Sequence, residues 1–437
     1  MKSRLPSSPI QLQMEKPVYG GDCLSHLPSS GGQPGKAAFV PLTLPGETLS
    51  AQIIEDKRTF LKAELDSILT PSPNRITPNC AHFGHCGGCH YQHADCPTQL
   101  ALKREILRET LSRAAVVTPP EIATLSGDPW AYRNRIRLAL TPAGDLAYRS
   151  RRSHDLVPIR ECPIAAPILL KTAGQIQSFL AQNILQSSIS ELELFTNHDQ
   201  SQLQITLFCH PTPEPEAQSH LVALHAELPP QTGVRLVLDD GALTPRILAQ
   251  AGEPSLHYHA SGFDYRVDHG AFFQVNRWLI DRFIELVTPP QSGHLAWDLY
   301  AGVGLFSRPL AARFAQTVAV ESAPASSAAL RQNLSETATT AIACTTLDYL
   351  RRNRELREPR PDLIVLDPPR AGLGDQVTTL LNAIGAPRIQ YVSCDPTTLA
   401  RDLRALTLER YRIGKITLVD MFPQTFHIET VVELRRS

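Results

Sequence analysis

Three segments in the last third of the chain set a reactive side chain at a strand end. Residues 390 to 398 read Gln-Tyr-Val-Ser-Cys-Asp-Pro-Thr-Thr, so Cys394 follows a β-forming run and precedes a turn-prone Asp-Pro. A thiolate is intrinsically nucleophilic, and α/β enzymes keep their chemistry at the carboxyl ends of strands. A lone cysteine in such a place is about as readily a small buried hydrophobe. The second segment, Asp298-Leu-Tyr-Ala-Gly-Val-Gly304, is a glycine-interrupted loop after a strand. The third, Pro361 to Asp367, is an apolar strand that ends in a carboxylate and is stiffened at its exit by Pro368 and Pro369. Glu429 stands in a mostly apolar strand, where burial would raise its proton affinity enough for general-base work. A glutamate on a strand edge facing water is the competing reading.

The loop after Asp298 lacks the third glycine of a dinucleotide fingerprint, which disfavours a pyrophosphate and favours a nucleoside without one, such as S-adenosylmethionine. Glu321, at the end of the next strand, suits a ribose diol. Asp348, after the run Ala341 to Leu347, could meet an adenine amino group. Upstream, Gly270-Ala-Phe-Phe-Gln-Val-Asn276 reads as a loop fixed by buried Phe272 and Phe273, with Gln274 and Asn276 presenting polar groups.

A second cysteine pattern lies far away, in Cys80-Ala-His-Phe-Gly-His-Cys-Gly-Gly-Cys89. Gly87 and Gly88 allow a tight fold that could bring the flanking thiolates to one centre. The fourth ligand is Cys96 or Cys162, and the Cys162-Pro163 arrangement favours the latter. Sulfur coordination suits zinc or an iron–sulfur cluster, and zinc with His82, His85 or His90 stays open. Nine cysteines, four of them between 80 and 96, fit an intracellular metal site better than a secreted disulfide framework.

The elements around these residues divide the chain. Ile10 to Met14, Lys36 to Val40, Thr48 to Glu55 and Thr59 to Leu69 read as short strands between glycine turns, a small barrel of the oligonucleotide-binding type. Residues 97 to 113 form an amphipathic helix whose Lys103, Arg104 and Arg108 read as its solvated face. A β-hairpin over 130 to 152 sets Arg133, Arg135 and Arg137 on one face. Seven arginines between 131 and 160 stand against Asp145 and Asp155, a positive patch suited to phosphate in a chain of net charge −1. At 437 residues, two or three domains are expected. No apolar run reaches membrane-spanning length and the N-terminus lacks a signal-peptide core, so a cytoplasmic protein is expected.

Cys80 to Cys89, Arg160 to Pro163, Phe272 to Asn276, Asp298 to Gly304, Leu366 to Arg370, Tyr391 to Pro396 and His427 to Glu429 together resemble the RNA uracil-5-methyltransferases of the TrmA/RlmD type, in family order. Residues 10 to 70 resemble a TRAM domain. The resemblance implies an α/β fold: a Rossmann-like class I methyltransferase domain, a central α+β RNA-binding domain and an N-terminal OB-like TRAM β-barrel. Its boundaries would be a barrel over 10–72, a central domain over 73–96 and 120–268 carrying the cluster and RNA surface, a helix over 97–119 packing on the catalytic domain, and the methyltransferase over 269–437.

The same resemblance makes Cys394 the nucleophile and Glu429 the base, with Gln274, Tyr300, Glu321, Asp367 and Asp348 holding S-adenosylmethionine. Cys80, Cys86, Cys89 and Cys162 would hold a [4Fe-4S] cluster. The implied partner is RNA, 23S ribosomal RNA ahead of transfer RNA, with no membrane and no obligate protein partner, and the chain is expected to be monomeric. Asp395 departs from the family's usual asparagine. A non-catalytic RNA-binding protein and an amino-methyltransferase built on Asp367-Pro-Pro-Arg370 are the rival readings.

Overall fold

The computed structural model describes residues 8–28, 35–116, 121–182, 188–210, 217–239, 241, 246–354 and 360–437. Residues 1–7 and most of the Ser30 to Gly35 turn lie outside them. The chain separates into two compact units.

The first unit gathers the described residues up to Glu109 with Arg149–His154 and Phe422–His427. Its six-stranded sheet runs in the order Ile10–Gln13, Thr48–Asp56, Phe60–Thr70, Ala37–Pro41, Asp22–His26, Lys16–Pro17. Strict alternation puts Leu49, Ala51 and Ile53 inward, against Leu12, Met14, Val40, Leu61 and Ala63. The strands Asp22–His26 and Lys16–Pro17 are additions to the four expected from sequence, where Asp22, Ser25 and Pro17 obscure any β pattern. The helix Cys96–Arg113 starts in this unit. Lys103 is fully buried and donates to the Phe422 carbonyl at 2.9 Å, so it is not part of a solvated face.

The second unit holds two larger sheets. The seven-stranded one is ordered Leu156–Pro158, Leu146–Arg149, Arg135–Leu140, Ile189–Thr196, Leu203–Cys209, Thr232–Leu238, Arg246–Gly252. One apolar core joins it to the helices Pro167–Leu180 and Ala217–Ala226, through Leu138, Leu192, Leu194, Ile205, Leu169 and Ile176 among others. Arg135, Arg137 and Arg152 of the expected positive patch are paired with acids. Arg137 bonds Glu191 at 2.5 Å, Arg135 lies 3.6 Å from Glu193 and over the Phe195 ring, and in the first unit Arg152 chelates Asp22 at 2.7 and 2.5 Å. A charge count over 131 to 160 missed these acids because sheet pairing and folding bring them in from elsewhere.

The eight-stranded sheet is ordered Thr339–Ala343, Phe314–Glu321, Gly293–Leu299, Leu363–Leu366, Arg388–Ser393, Glu429–Arg436, Tyr411–Val419, Ala123–Leu125. The first five run parallel, and Glu429–Arg436 lies antiparallel to both of its neighbours. Continuous apolar runs such as Leu363–Leu366, buried at every position, are what a parallel strand covered on both faces requires. Chain order reverses between Gly293–Leu299 and Leu363–Leu366, and ligands bind outside the carboxyl ends of strands at such a switch point. No helix among the described residues is long and apolar enough to cross a membrane.

Candidate active site

Strand register brings the reactive residues together. Leu299 is level with Leu366 and with Val320, and Leu366 with Tyr391, so Tyr300, Glu321 and Asp367 all emerge at the same carboxyl edge. Ser393 pairs with Thr430 in the antiparallel ladder. The next residues outward on those two strands are Cys394 and Glu429, and facing residues in such a ladder have Cα atoms about 4.5–5.5 Å apart. Two residues far apart in sequence thus become neighbours by one step of register.

Glu429 is buried, and its carboxyl receives no hydrogen bond among the described residues. Burial holds its carboxyl well above the ordinary range, the nearby Asp367 carboxyl adds to this, and Arg370 opposes it. The Cys394 thiol is pushed up to about 12, first by burial and then by Glu429 and Asp367, with Arg370 again pulling down. Asp367 is itself raised to about 7 by burial and by Asp298. A thiol, two carboxyls and a guanidinium therefore share one low-polarity site, where moving a proton between them changes every neighbour's charge balance.

The supports are local. Asp395 caps the helix Pro396–Glu409, accepting from the Thr397 and Thr398 N–H groups at 2.9 and 3.0 Å, so Cys394 is pinned between a strand end and a helix N-terminus. An aspartate fills that acceptor role as well as asparagine would. Asp402, buried on the apolar stripe of the same helix with Leu399 and Leu406, accepts from the Leu373 N–H at 2.7 Å and the Tyr391 hydroxyl at 2.8 Å. It fixes the loop beyond Arg370. An acid on an apolar stripe was the available sequence signal for Asp402; Asp402 and Arg370 are supports of the candidate site that the sequence reading did not assign.

The Gln274 side-chain amide donates to Asp367 at 3.3 Å. Its backbone is clamped by Asn134, whose amide donates to the Gln274 carbonyl at 3.0 Å and whose N–H meets Val275. Phe273 is buried as expected, but Phe272 is 60% exposed, correcting the paired-core reading. Adjacent positions of an extended segment face opposite ways, so the loop cannot bury both.

The candidate nucleoside cradle follows the switch-point strand. Tyr300 takes φ +67°, a left-handed conformation costly for a non-glycine residue, of the kind concentrated at functional turns. A Cβ on Gly302 would meet nothing within 4 Å, which leaves the loop open for a ligand. Glu321 accepts from the Gly302 N–H at 2.9 Å and the Ala323 N–H at 2.6 Å, facing its carboxylate to the cradle loop. Behind it, Asp298 is fully buried with Ser307 donating to one carboxyl oxygen and the other unpartnered, and burial raises it to about 7. An open turn, an aimed carboxylate and an orphaned acceptor fit a cationic nucleoside ligand. Asp348 sits apart from this group in its bonding. It belongs to a helix cap, taking the Thr345 hydroxyl at 2.7 Å, and is half-exposed.

A sequence profile described as tRNA (uracil-5-)-methyltransferase matches residues 95–437. The chain belongs to this family. The uracil-5-methyltransferase RlmD of Shewanella frigidimarina, named for uracil 1939 of 23S rRNA, is 33% identical over 94% of this chain and 93% of its own length. Its Pectobacterium atrosepticum namesake is 32% identical over 91% and 88%. The crystal structure of the Pyrococcus abyssi tRNA (uracil-54, C5)-methyltransferase, solved with S-adenosyl-L-homocysteine, has the same fold at a TM-score of 0.76, covering 97% of this chain and all of that one at 22% identity. This uracil-5-methyltransferase is accordingly an S-adenosylmethionine-dependent enzyme acting on RNA.

The other cysteines form no disulfide among the described residues. Cys80, Cys86 and Cys89 are half-buried on one loop of the first unit, and the Gly88 N–H donates to Cys86 Sγ at 3.4 Å. A Cβ on Gly87 would come within 3.1 Å of the Arg149 and Ser150 carbonyl oxygens, a tight approach that favours glycine there. Cys162, in the second unit, has the Tyr148 hydroxyl 3.9 Å from its sulfur. Among the described residues no three His, Cys, Asp or Glu side chains are grouped to hold a single metal ion. Cysteine sulfur is the donor type that iron–sulfur clusters take.

Proposed function

We propose that this enzyme methylates C5 of one uridine in 23S ribosomal RNA, with Cys394 as nucleophile and Glu429 as the base that removes the C5 proton. The placement of Cys394 and Glu429 one register step beyond the Ser393–Thr430 pair, in a desolvated site, carries the reading. S-adenosylmethionine, when bound, supplies an electrophilic methyl group on a sulfonium.

Uracil C5 is too weakly nucleophilic to take that methyl unaided. Attack of the Cys394 sulfur on C6 forms a C–S bond and moves the ring's double-bond electrons toward C5 and O4, making C5 enolate-like. Once C5 is methylated, Glu429 takes its proton. The C5–H electron pair re-forms the C5–C6 double bond, and the C6–S pair leaves with Cys394. Arg370 offsets the negative charge on sulfur and carboxylate in turn. Gln274, Tyr300, Glu321 and Asp367 hold the nucleoside cofactor; Asp348 contributes from its helix cap at most to the adenine edge. Exposed Phe272, beside Gln274, offers a ring for a uracil taken out of its stack.

The ribosomal substrate is supported by the Shewanella and Pectobacterium relatives, which match almost end to end. Cys80, Cys86, Cys89 and Cys162 hold a [4Fe-4S] cluster that stabilises the protein or its RNA contact. Anaerobic purification with metal analysis tests this; zinc alone in fully active protein would refute it.

Mass mapping of ribosomal and transfer RNA methylated by the purified enzyme tests the function. A single 5-methyluridine in 23S rRNA is expected, whereas a transfer RNA product would reassign the substrate. Cys394→Ala is expected to abolish both turnover and the covalent complex with 5-fluorouridine RNA. Methylation of an exocyclic nitrogen that survives Cys394→Ala would refute the mechanism.

A further inference from the structure

The strands Tyr411–Val419 and Glu429–Arg436 form a hairpin in which Val419 faces Glu429, so residues 420–428 are its connection and Glu429 is its last rung. Hairpin connections are ordinarily about 2–5 residues long. Here Phe422–His427 belongs to the first unit, with the barrel and the cysteine loop.

The segment is held from several sides. Gln424 adopts φ +67°. Its N–H donates to the Gln99 side-chain oxygen at 2.9 Å, and the Gln99 amide donates back to the Gln424 side-chain oxygen at 2.9 Å and to the Ala94 carbonyl at 2.9 Å. The Gln424 carbonyl accepts from the N–H groups of His90 and Tyr91 at 2.8 and 3.0 Å, immediately after Cys89. One helical turn beyond Gln99, buried Lys103 donates to the Phe422 carbonyl at 2.9 Å. The Phe426 ring sits edge-on to His90 and Tyr19, with centroids 4.6 and 5.5 Å away.

Burying an ammonium and straining a glutamine are both unfavourable, and a surface connection has no need of either. The last rung of a ladder frays unless the chain beyond it is fixed. We infer that Gln99, Lys103 and Gln424 are positioning residues for catalysis: they fix the segment two residues before Glu429 and so hold its carboxylate where the C5 proton must be taken. The inference rests on the proposed role of Glu429.

The reaction offers a readout that general destabilisation would not reproduce. With fluorine at C5 there is no proton to remove, so the reaction halts as a covalent Cys394–RNA complex, before the base is used. Gln99→Ala, Lys103→Met and the milder Gln424→Gly, which suits a positive φ, are each compared with the unaltered enzyme on 5-fluorouridine RNA and on uridine RNA. The expected result is complex formation with 5-fluorouridine RNA within about twofold of the unaltered rate. On uridine RNA, kcat falls about 10- to 100-fold, as for a base displaced by about 1 Å, with KM unchanged and a covalent enzyme–RNA complex accumulating. Unchanged kcat in all three variants overturns the inference, as does a parallel fall of both rates. If the unaltered enzyme methylates uridine C5 but forms no complex with 5-fluorouridine RNA, the roles given to Cys394 and Glu429 fall, and this inference with them.

Discussion

Glu47 and Glu429 are both shut away from water, at 0% and 4% exposure, and their surroundings differ in every other respect. Glu47, in the first unit, is gripped by the Arg75 guanidinium at 2.5 and 2.8 Å and accepts from the Leu44 and Ser72 N–H groups at 2.8 and 3.2 Å. Burial works against its ionisation, but these partners win and hold its carboxyl below the ordinary range. Glu429 has burial without hydrogen bonds and a carboxyl for a neighbour, and its proton affinity rises. Burial alone does not make a glutamate reactive. The withheld partners do, because an unsolvated carboxylate is the stronger base.

The largest expected effect breaks the reactive side of this pair. Glu429→Gln lowers kcat by about 10²–10⁴-fold, the range of a lost general base, and a covalent complex with ordinary uridine RNA accumulates, seen as a retarded band on a denaturing gel. Next is the structural side. Arg75→Met leaves Glu47 buried and unpaired and costs about 3 kcal/mol, read from denaturant midpoints, while kcat of the folded enzyme is unchanged.

Proton linkage separates the two further. Glu47, depressed in the fold, contributes stability that is full above its unfolded value and is lost as pH falls through the folded one. Glu429, raised in the fold, contributes its stability at low pH and loses it as pH climbs from the unfolded value toward the folded one. Glu429→Gln is therefore expected to raise the melting temperature at neutral pH and to flatten its decline between about pH 5 and 8. Glu47→Gln is expected to lower it there. In the proposed roles Cys394 and Glu429 both act deprotonated, so kcat/KM should climb with pH from about 6 to 9; a profile that falls over that interval would contradict these roles. The smallest effect belongs to the half-exposed Arg137–Glu191 pair, where Arg137→Ala should cost no more than about 1 kcal/mol in chemical denaturation.

The methyltransferase half was readable because its signals are short in range. A strand, a glycine turn and a terminal acid are written within ten residues, and Asp298 to Gly304, Asp367 and Cys394 were located on that basis. The arginine hairpin was only partly legible for the opposite reason, since the acids that pair with Arg135, Arg137 and Arg152 are supplied from other strands. Lys103 and Phe272 exchanged their expected environments, one buried and one exposed, because helical and extended periodicity fix which residues share a face and not which face meets the interior.

By itself the sequence determined the element order, the strand ends that carry chemistry and the family, all properties of local pattern and residue type. Only the tertiary structure decided that Cys394 and Glu429 stand side by side, that the Glu429 carboxyl receives no hydrogen bond among the described residues while Glu47 has four, and that the connection before Glu429 is gripped by Gln99 and Lys103. Register and burial arise from contacts between distant segments, and proton affinity depends on how many dipoles those contacts bring to a charge.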